Sequence, residues 1–328
     1  MDADWKNKRA LVTGGLGFIG SNLAIDLVAR GASVTIVDSL IPSHGGDLRN
    51  IATIRGRADV HLVDLREARA LPDLVADQDF VFHLAGQVSH GDSMRDPELD
   101  LSVNCVATIN LLESCRHHNP TAVLVYSSTR QVYGAPTRLP VTEDHPTVPV
   151  DVNGINKLTA EYYHLLYHRT YDLQSVVLRL TNTYGPRQQI KNDRQGFTGV
   201  FLRKALRGER ISVYGDGEQR RDFNHVDDVV GALVLAATTR ACRGKIWNLG
   251  ASDHHSLNQF VQLLAEFATF EVEKVPFPHD RRLIDIGHCY SDWSRFAAAT
   301  GWRPRIDLRE GLSRSIDFFR QHADVYLR

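Results

Sequence analysis

Short apolar, β-branched runs alternate with longer amphipathic stretches along the first half of the chain. The short runs predict strands that are covered on both faces, because their residues are apolar throughout rather than at every second position. The longer stretches carry apolar residues at helical spacing, and Gly31 is placed to terminate the first of them. The predicted strands are Ala10–Thr13, Ser33–Val37, Val60–Val63, Phe80–Leu84, Ala122–Tyr126 and Ser175–Leu178. The predicted helices are Ile19–Arg30, Leu99–His117 and Ile155–Tyr171.

This alternation predicts an α/β fold in which helices wrap a parallel sheet. After Leu180 the pattern breaks into turn-rich segments such as YGPRQQ and YGDGEQRRD, which predict a smaller C-terminal α/β lobe. A helix at His225–Thr239 and a strand at Lys245–Leu249 indicate that the chain then returns to the sheet. We therefore predict discontinuous domains, with residues 1–180 and about 222–250 in one, and about 181–221 and 251–328 in the other.

The overall charge argues against two classes of partner. The 328 residues carry 38 Lys and Arg against 39 Asp and Glu, so no global field attracts nucleic acid or an anionic membrane. No apolar run approaches the roughly 18 residues that span a bilayer. We expect a soluble, cytoplasmic protein that binds anions only at a local site.

Cysteine and histidine usage gives no sign of disulfides or metals. The four cysteines are scattered, and we expect reduced, buried thiols: they are Cys105, Cys115, Cys242 and Cys289. The adjacent histidine pairs, His117–His118 and His254–His255, lack the spacing at which one helix face holds two ligands. We expect no metal site.

A glycine-rich turn follows the first predicted strand. TGGLGFIG places Gly14, Gly17 and Gly20 at the entry to a helix, where glycine permits a tight turn and lets the backbone approach a pyrophosphate. The helix N-terminus adds free N–H groups and a positive dipole end. This arrangement predicts a Rossmann-type doubly wound sheet that binds a dinucleotide.

Asp38 selects between the two nicotinamide cofactors. It ends the second predicted strand, where a carboxylate accepts hydrogen bonds from the adenosine ribose hydroxyls and repels a 2′-phosphate. NAD is therefore favoured over NADP. Asp64, after the third strand, is a weaker candidate for the adenine edge, and HLAG at His83–Gly86 offers a small-residue passage for the cofactor.

Together with HLAG, SST..VYG, NTYGPRQ and RDFNHVDD, the glycine motif resembles the extended short-chain dehydrogenase/reductase family of nucleotide-sugar epimerases and dehydratases. The resemblance runs from about Lys8 to Phe319, and is strongest to CDP-tyvelose (CDP-paratose) 2-epimerases, then to UDP-glucose 4-epimerases. It implies that NAD takes hydride from a sugar carbinol and returns it after the ketone is epimerised or rotated. The residues then expected around the cofactor are Gly14, Gly17, Phe18, Ile19, Gly20, Asp38, Ser39, Asp64, Leu65, Leu84, Ala85, Gly86 and Lys157.

The resemblance also assigns the catalytic positions, with one departure. Thr129 matches the family hydroxyl beside the reacting group, and Lys157 matches the lysine that holds the nicotinamide ribose. The family tyrosine falls at Asn153, in VNGINK where PYGxSK is expected, and an amide cannot accept a proton as a phenolate does. Several explanations are open. The proton is accepted by another side chain, such as Tyr133, Tyr162 or a histidine, or it is relayed by water or the substrate. Otherwise catalysis is lost, or the asparagine is an introduced change.

Further matches concern the sugar nucleotide. Family dehydratases follow the threonine with an Asp–Glu pair, but here Arg130 and Gln131 stand there, and neither is an acid at neutral pH. Dehydration by that route is not expected. The resemblance implies that Asn182 bonds the diphosphate and that arginines grip phosphates or nucleoside. The residues expected around the substrate are Gln87, Ser89, Thr129, Asn182, Gln195, Arg221 and Arg282.

The leading hypothesis is a nucleotide-sugar epimerase that retains its NAD. The alternatives are a decarboxylase or net oxidoreductase acting on the same substrate class, or an inactive protein that senses a nucleotide sugar or NAD. We also expect a homodimer, because helices Leu99–His117 and Ile155–Tyr171 can pair with their copies as a four-helix bundle.

Overall fold

A computed structural model describes residues 4–42, 44–193 and 196–327 and builds the first half of the chain around one parallel sheet. The strands in chain order are β1 (Arg9–Thr13), β2 (Ser33–Asp38), β3 (Asp59–Leu62), β4 (Phe80–His83), β5 (Val123–Thr129), β6 (Gln174–Leu180), β7 (Asn182–Tyr184), β8 (Ile211–Tyr214), β9 (Arg220–His225), β10 (Lys245–Asn248), β11 (His254–Ser256) and β12 (Val272–Val275). The main sheet has seven strands in the order β10-β6-β5-β4-β1-β2-β3. The Rossmann-type sheet predicted from the sequence is confirmed.

The helices lie on both faces of this sheet and around the smaller lobe. They are α1 (Phe18–Ala29), α2 (Leu71–Val75), α3 (His90–Arg95), α4 (Pro97–Leu101), α5 (Ala107–His118), α6 (Val152–Tyr171), α7 (Gly196–Arg207), α8 (Val226–Thr238), α9 (Leu257–Leu264), α10 (His279–Arg282), α11 (Ser294–Thr300), α12 (Leu308–Gln321) and α13 (Ala323–Tyr326). None of those helices is long and apolar enough to cross a membrane.

Alternate residues of the central strands enter different cores, which explains why these strands are apolar throughout. Val12 and Phe82 face the core that includes α1 and α8, whereas Leu11 and Val81 face the core that includes α2 and α5. The order of the strands reverses between β1 and β4, which pair side by side. Ligands bind at such a switch point, beyond the carboxyl ends of the strands.

The smaller lobe is built from residues after Leu180. It holds a three-stranded sheet, β11-β9-β7, and a two-stranded sheet, β12-β8, around a separate apolar core that includes Phe201, Phe223 and Phe260. The chain rejoins the main sheet through β10, which pairs with β6.

The predicted helix at Leu99–His117 differs from the observed one. Helical backbone runs from Pro97 to His118 but contains a π-helical segment at Ser102–Val106 between α4 and α5. Such a wide turn offsets the side chains on either side of it, and it is often found at functional sites. Asp100 precedes this segment and Asn104 lies within it, and both face α6.

Candidate active site

A cavity of about 750 Å³ opens at the carboxyl ends of the parallel strands and extends into the smaller lobe. Each of the thirteen residues expected around the cofactor lines it, from the turn between β1 and α1 to Lys157. It is also lined by Thr129, Asn153, Asn182 and Arg221. One cavity therefore joins the predicted dinucleotide residues to three of the seven predicted for the sugar nucleotide, Thr129, Asn182 and Arg221.

The glycine turn leaves backbone exposed to this cavity. Gly14 has φ +66°, and a Cβ there would lie 2.8 Å from the backbone of Ala85, so a side chain is excluded on conformation and on space. A Cβ on Gly20 would overlap the carbonyl oxygen of Gly14. The first turn of α1 has neither a side-chain cap nor an acidic residue. Its N–H groups are thus available to a phosphate.

Asp38, the last residue of β2, lies beside the glycine turn. Its carboxylate accepts hydrogen bonds from the N–H groups of Leu16 (3.0 Å) and Leu40 (2.9 Å), which fix its position. Burial raises the pKa of Asp38, while those backbone bonds oppose the shift. Asp64 also lines the cavity, but Arg66 donates to both of its oxygens, so its charge is already balanced.

Lys157 and Thr129 both line the cavity. Lys157 is buried on α6, where Nζ donates to the carbonyl oxygen of Ser127 (3.2 Å) and lies 5.0 Å from the centre of the Tyr126 ring. Burial lowers the pKa of Lys157 to about 8, although the negative charge of Asp100 opposes this. The Thr129 hydroxyl accepts the N–H of Gln131 (3.2 Å) at the end of β5. An ammonium and a hydroxyl therefore line the same cavity, and the roles that the resemblance implies for them stay predictions.

Asn153 lines the cavity, but its amide is committed to the protein. Nδ2 donates to the carbonyl oxygen of Gln87 (2.7 Å) and to Asp100 Oδ2 (3.1 Å). Asp100 is fully buried and also receives Nδ2 of Asn156 (2.7 Å) and of Asn104 (3.0 Å). Both residues of VNGINK that replace the Tyr and Ser of PYGxSK therefore bond the same carboxylate. A single substitution of Asn for the family Tyr would not explain both contacts, because Asn156 also departs from the motif and also bonds Asp100.

Neither tyrosine considered as a substitute base lines the cavity. Tyr133 is buried, and its hydroxyl donates to Asn248 Oδ1 (2.7 Å) on the last strand of the sheet. Burial raises the pKa of Tyr133 to about 12, so it stays protonated. Tyr162 lies 59% exposed on the outer side of α6. The structure places both away from the reacting groups.

Several cavity residues were not singled out as functional from the sequence, and four of them lie on segments that the sequence motifs already mark. His90 begins α3, and Arg281 precedes the predicted Arg282 on α10. Arg130 and Gln131 were considered only as evidence against dehydration, yet both line the cavity. The signals were local: His90 directly follows HLAGQVS, and Arg281 belongs to VPFPHDRR.

The smaller lobe contributes cationic and amide groups. Arg221 is buried, and it donates to the carbonyl oxygen of Gly287 and pairs with Asp285 at 3.4 Å. Burial, reinforced by the nearby Arg130, lowers the pKa of Arg221 to about 10. Asn182 donates to the carbonyl oxygen of Asp222 (2.9 Å) beside it. These groups form the polar end of the cavity.

Three predicted substrate residues do not line the described cavity, and a fourth cannot be placed. Arg282 is exposed and its neighbour Arg281 lines the wall instead, because the short helix α10 turns the two in different directions. Gln87 and Ser89 are buried and hydrogen-bond with each other, and Ser89 caps α3. Gln195 lies outside the described residues.

Comparison with known proteins identifies the family. Residues 10–250 match the model of the NAD dependent epimerase/dehydratase family. The chain belongs to this family. Membership confirms both the predicted resemblance and the predicted NAD cofactor, and the exposed backbone of the glycine turn together with Asp38 fits that cofactor.

Members of the epimerase/dehydratase family resemble this chain over nearly its whole length. UDP-glucose 4-epimerase of Mycolicibacterium smegmatis is 34% identical over 317 residues, covering 96% of this chain and 99% of the relative. CDP-paratose 2-epimerase of Salmonella typhi is 29% identical over 341 residues, covering 94% and 98%. The crystal structure of UDP-glucose 4-epimerase from Thermotoga maritima with UDP-glucose is 31% identical, covers 96% of this chain and 99% of that one, and superposes with a TM-score of 0.88.

The family nevertheless contains several reactions. Relatives about as similar are named UDP-glucuronic acid decarboxylase 1 and dTDP-glucose 4,6-dehydratase. Membership therefore establishes a family of NAD-dependent nucleotide-sugar epimerases and dehydratases. Which reaction this chain catalyses depends on its site.

Proposed function

We propose that the protein is a nucleotide-sugar epimerase that works through a transient keto-sugar and retains its NAD. The observation that carries the proposal is the single cavity that joins the glycine turn, Lys157 and Thr129 to Arg221. When bound, NAD supplies a reversible hydride acceptor for a carbinol carbon. An epimerase needs nothing else of the cofactor, because the hydride taken is the hydride returned.

The side chains have separable roles in this reaction. Lys157 orients the nicotinamide ribose and adds positive charge, and the Thr129 hydroxyl holds the reacting oxygen. Arg221, with Asn182 beside it, binds the diphosphate. Asn153 serves the packing of α6 on Asp100, so the proton acceptor is another group.

The surroundings of Thr129 favour epimerisation over dehydration. Gln131 stands where dehydratases carry an acid, and its Nε2 donates to Asp151 Oδ2 (2.9 Å). An amide has no proton to give, and Arg130 does not release its own at neutral pH. Elimination of water from the sugar therefore lacks its acid.

A product screen tests the proposal. Purified protein is incubated in deuterated water with UDP-, CDP- and dTDP-linked sugars, and products are separated and weighed by mass spectrometry. We expect an epimer and unchanged NAD. An epimer without deuterium on carbon shows that hydride returned to the same carbon, whereas deuterium reports deprotonation beside the ketone.

Other outcomes contradict the epimerase. Loss of carbon dioxide from a sugar acid identifies a decarboxylase, and NADH released during turnover identifies a net oxidoreductase. Saturable binding of nucleotide sugars without any product identifies a binding protein.

A further inference from the structure

A histidine and an aspartate lie together in the wall of the cavity. His90 Nδ1 is 2.9 Å from Asp151 Oδ2, and the side chain of His90 is 36% exposed while that of Asp151 is fully buried. The contact has ion-pair length, although the ring is not aligned for a straight hydrogen bond. Nε2, on the other side of the ring, has no hydrogen bond within the described ranges. One ring nitrogen thus meets a carboxylate and the other is left for a ligand.

This pair adjoins position 153. Asp151 precedes Asn153 by two residues at the start of α6, and the N–H of Asn153 donates to Ser93 Oγ (3.2 Å), one turn after His90 on α3. Lys157 follows one turn later on the same helix and lines the same cavity. His90 therefore lies beside the place from which the family tyrosine would act.

Asp151 is held as an anion in a fixed position. Burial raises the pKa of Asp151, but the contact with His90 and the hydrogen bonds from Gly154 (2.6 Å) and Gln131 (2.9 Å) lower the pKa by more. The carboxylate caps α6, so its orientation is set by the backbone. A carboxylate fixed beside Nδ1 favours the tautomer that carries its proton on Nδ1, which leaves Nε2 as the acceptor.

Other titratable side chains of the described cavity are less suitable. Lys157 donates to a carbonyl oxygen, and Asp193 and Asp285 are paired with arginines. His44 and Asp64 lie at the end expected to hold adenosine. A cation from another element, Arg281, lies near this segment, since its Nη1 would be 3.3 Å from a Cβ on Gly91, the residue after His90.

We propose that His90, oriented by Asp151, is the proton acceptor that replaces the family tyrosine. The inference rests on the proposed function. With NAD bound as the hydride acceptor, the hydroxyl proton would pass to Nε2 of His90 as the carbinol carbon loses hydride and the C=O bond forms. When the carbon regains hydride on the other face, the imidazolium returns that proton to the oxygen. Charge and electrons balance, and Asp151 remains ionised throughout.

Two substitutions remove the two halves of the pair. His90→Gln keeps a polar side chain but accepts no proton, and Asp151→Asn removes the charge while retaining an N-cap residue for α6. His61→Gln is the matched control, because its Nε2 makes a similar contact with Asp59 Oδ2 (2.7 Å) at an exposed edge of the sheet.

The first measurement is single-turnover formation of enzyme-bound NADH by absorbance, with UDP-glucose and then with any other nucleotide sugar that the screen shows to be converted. We expect His90→Gln to slow this step by about 10²–10⁴-fold, the usual contribution of a general base. Asp151→Asn should slow it in the same sense, and His61→Gln should leave it unchanged. Calorimetric binding of UDP and NAD should be retained in each variant, which shows that the site is folded.

A second measurement does not depend on turnover. Long-range ¹H–¹⁵N NMR of the resting protein should show the proton of His90 on Nδ1, and Asp151→Asn should shift this tautomer equilibrium. A His90→Gly variant should recover NADH formation when imidazole is added, since the small molecule restores the missing acceptor.

The outcomes separate this inference from the proposed function. If the unaltered protein forms neither product nor NADH, both proposals fail. If it is active and His90→Gln is equally active, the epimerase stands and the histidine is not the acceptor. If Lys157→Met abolishes NADH formation while His90→Gln does not, the histidine is not the acceptor, because the loss at Lys157 is expected of the residue that orients the nicotinamide ribose. Resting protonation on Nε2 would also overturn the inference.

Discussion

Asn153 matters for what its amide donates. The side chain supplies two hydrogen bonds to buried acceptors, the Gln87 carbonyl and Asp100 Oδ2. A phenol has one donor and greater bulk. We expect Asn153→Tyr to lower the free energy of unfolding by roughly 1–3 kcal/mol, the cost of an unsatisfied buried acceptor, and to give no gain in turnover. Urea unfolding and the product assay measure the two effects.

A residue near the end of the same helix provides the control for Asn153→Tyr. Thr170 is exposed and is not one of the apolar side chains on the outer surface of α6, so Thr170→Tyr should leave stability unchanged. A stable Asn153→Tyr protein with higher turnover would show instead that the pocket is built for tyrosine and that the asparagine marks lost chemistry.

Asp38 should decide the choice of cofactor. Asp38→Asn keeps an acceptor for the loop N–H groups but removes the negative charge facing the ribose. We expect weaker NAD binding, by about ten- to a hundredfold for the loss of a charged hydrogen bond, and less discrimination against NADP. Calorimetric titration with both cofactors is the measurement. Asp47→Asn, outside the cavity, should change neither affinity; an unchanged preference in Asp38→Asn would remove Asp38 from the site.

At the scale of elements, a cluster of three aromatic rings joins β4, β5 and α6 beneath Lys157. Their ring centres form a triangle, with 5.3 Å from Tyr126 to His83, 4.6 Å from Tyr126 to His164 and 5.9 Å between the two histidines. Burial lowers the pKa of His164 to about 3, and the charge of Lys157 adds to this effect. Both histidines are thus neutral in the folded protein at neutral pH.

The lowered pKa of His164 predicts acid sensitivity. Below a pH of about 6.5 the His164 side chain is protonated in the unfolded chain but not in the folded protein, so the free energy of unfolding decreases as the pH falls from about 6.5 toward 3. Between pH 7 and pH 5 we expect the free energy of unfolding of His164→Gln to decrease by about 2 kcal/mol less than that of the unaltered protein. Urea unfolding at both pH values tests this. Equal losses would mean that His164 is protonated, or solvated, in the folded state.

The elements themselves could largely be predicted from the sequence, because their signals are local. Glycine spacing, apolar runs and the four-residue step from Asn153 to Lys157 each lie within one strand, turn or helix. The pairs His90–Asp151 and Asp100–Asn153 join residues 50 or more positions apart, at helix crossings that no periodicity specifies. From the sequence alone, Tyr133 is one of the candidate substitutes for the family tyrosine. The 3₁₀ turn at Arg130–Tyr133 instead carries its side chain into the interior.

At the scale of the whole molecule, the outer surface of α6 and the preceding helical segment is apolar. Leu101, Val106, Ile155, Tyr162 and Leu166 are each 40–59% exposed there. Pairing with a second copy would cover these side chains as a four-helix bundle. We expect a homodimer by light scattering at micromolar concentration, and dissociation in a Tyr162→Glu, Leu166→Glu double variant. A monomeric unaltered protein would contradict this.

The order of the strands also determines when each part of the sheet can form during synthesis of the chain. β10 pairs with β6 only after the chain has made β7, α7, β8 and β9 of the smaller lobe, and Asn248 at its end receives the Tyr133 hydroxyl and donates to the Val141 carbonyl. Until that residue leaves the ribosome, the segment after Thr129 lacks these two hydrogen bonds. A nascent chain can therefore form its glycine turn early and its dinucleotide cleft soon after. The segment after Thr129 is bonded to β10 only when residue 248 has been synthesised. Nascent chains stalled before and after this point should differ in the protease resistance of that segment.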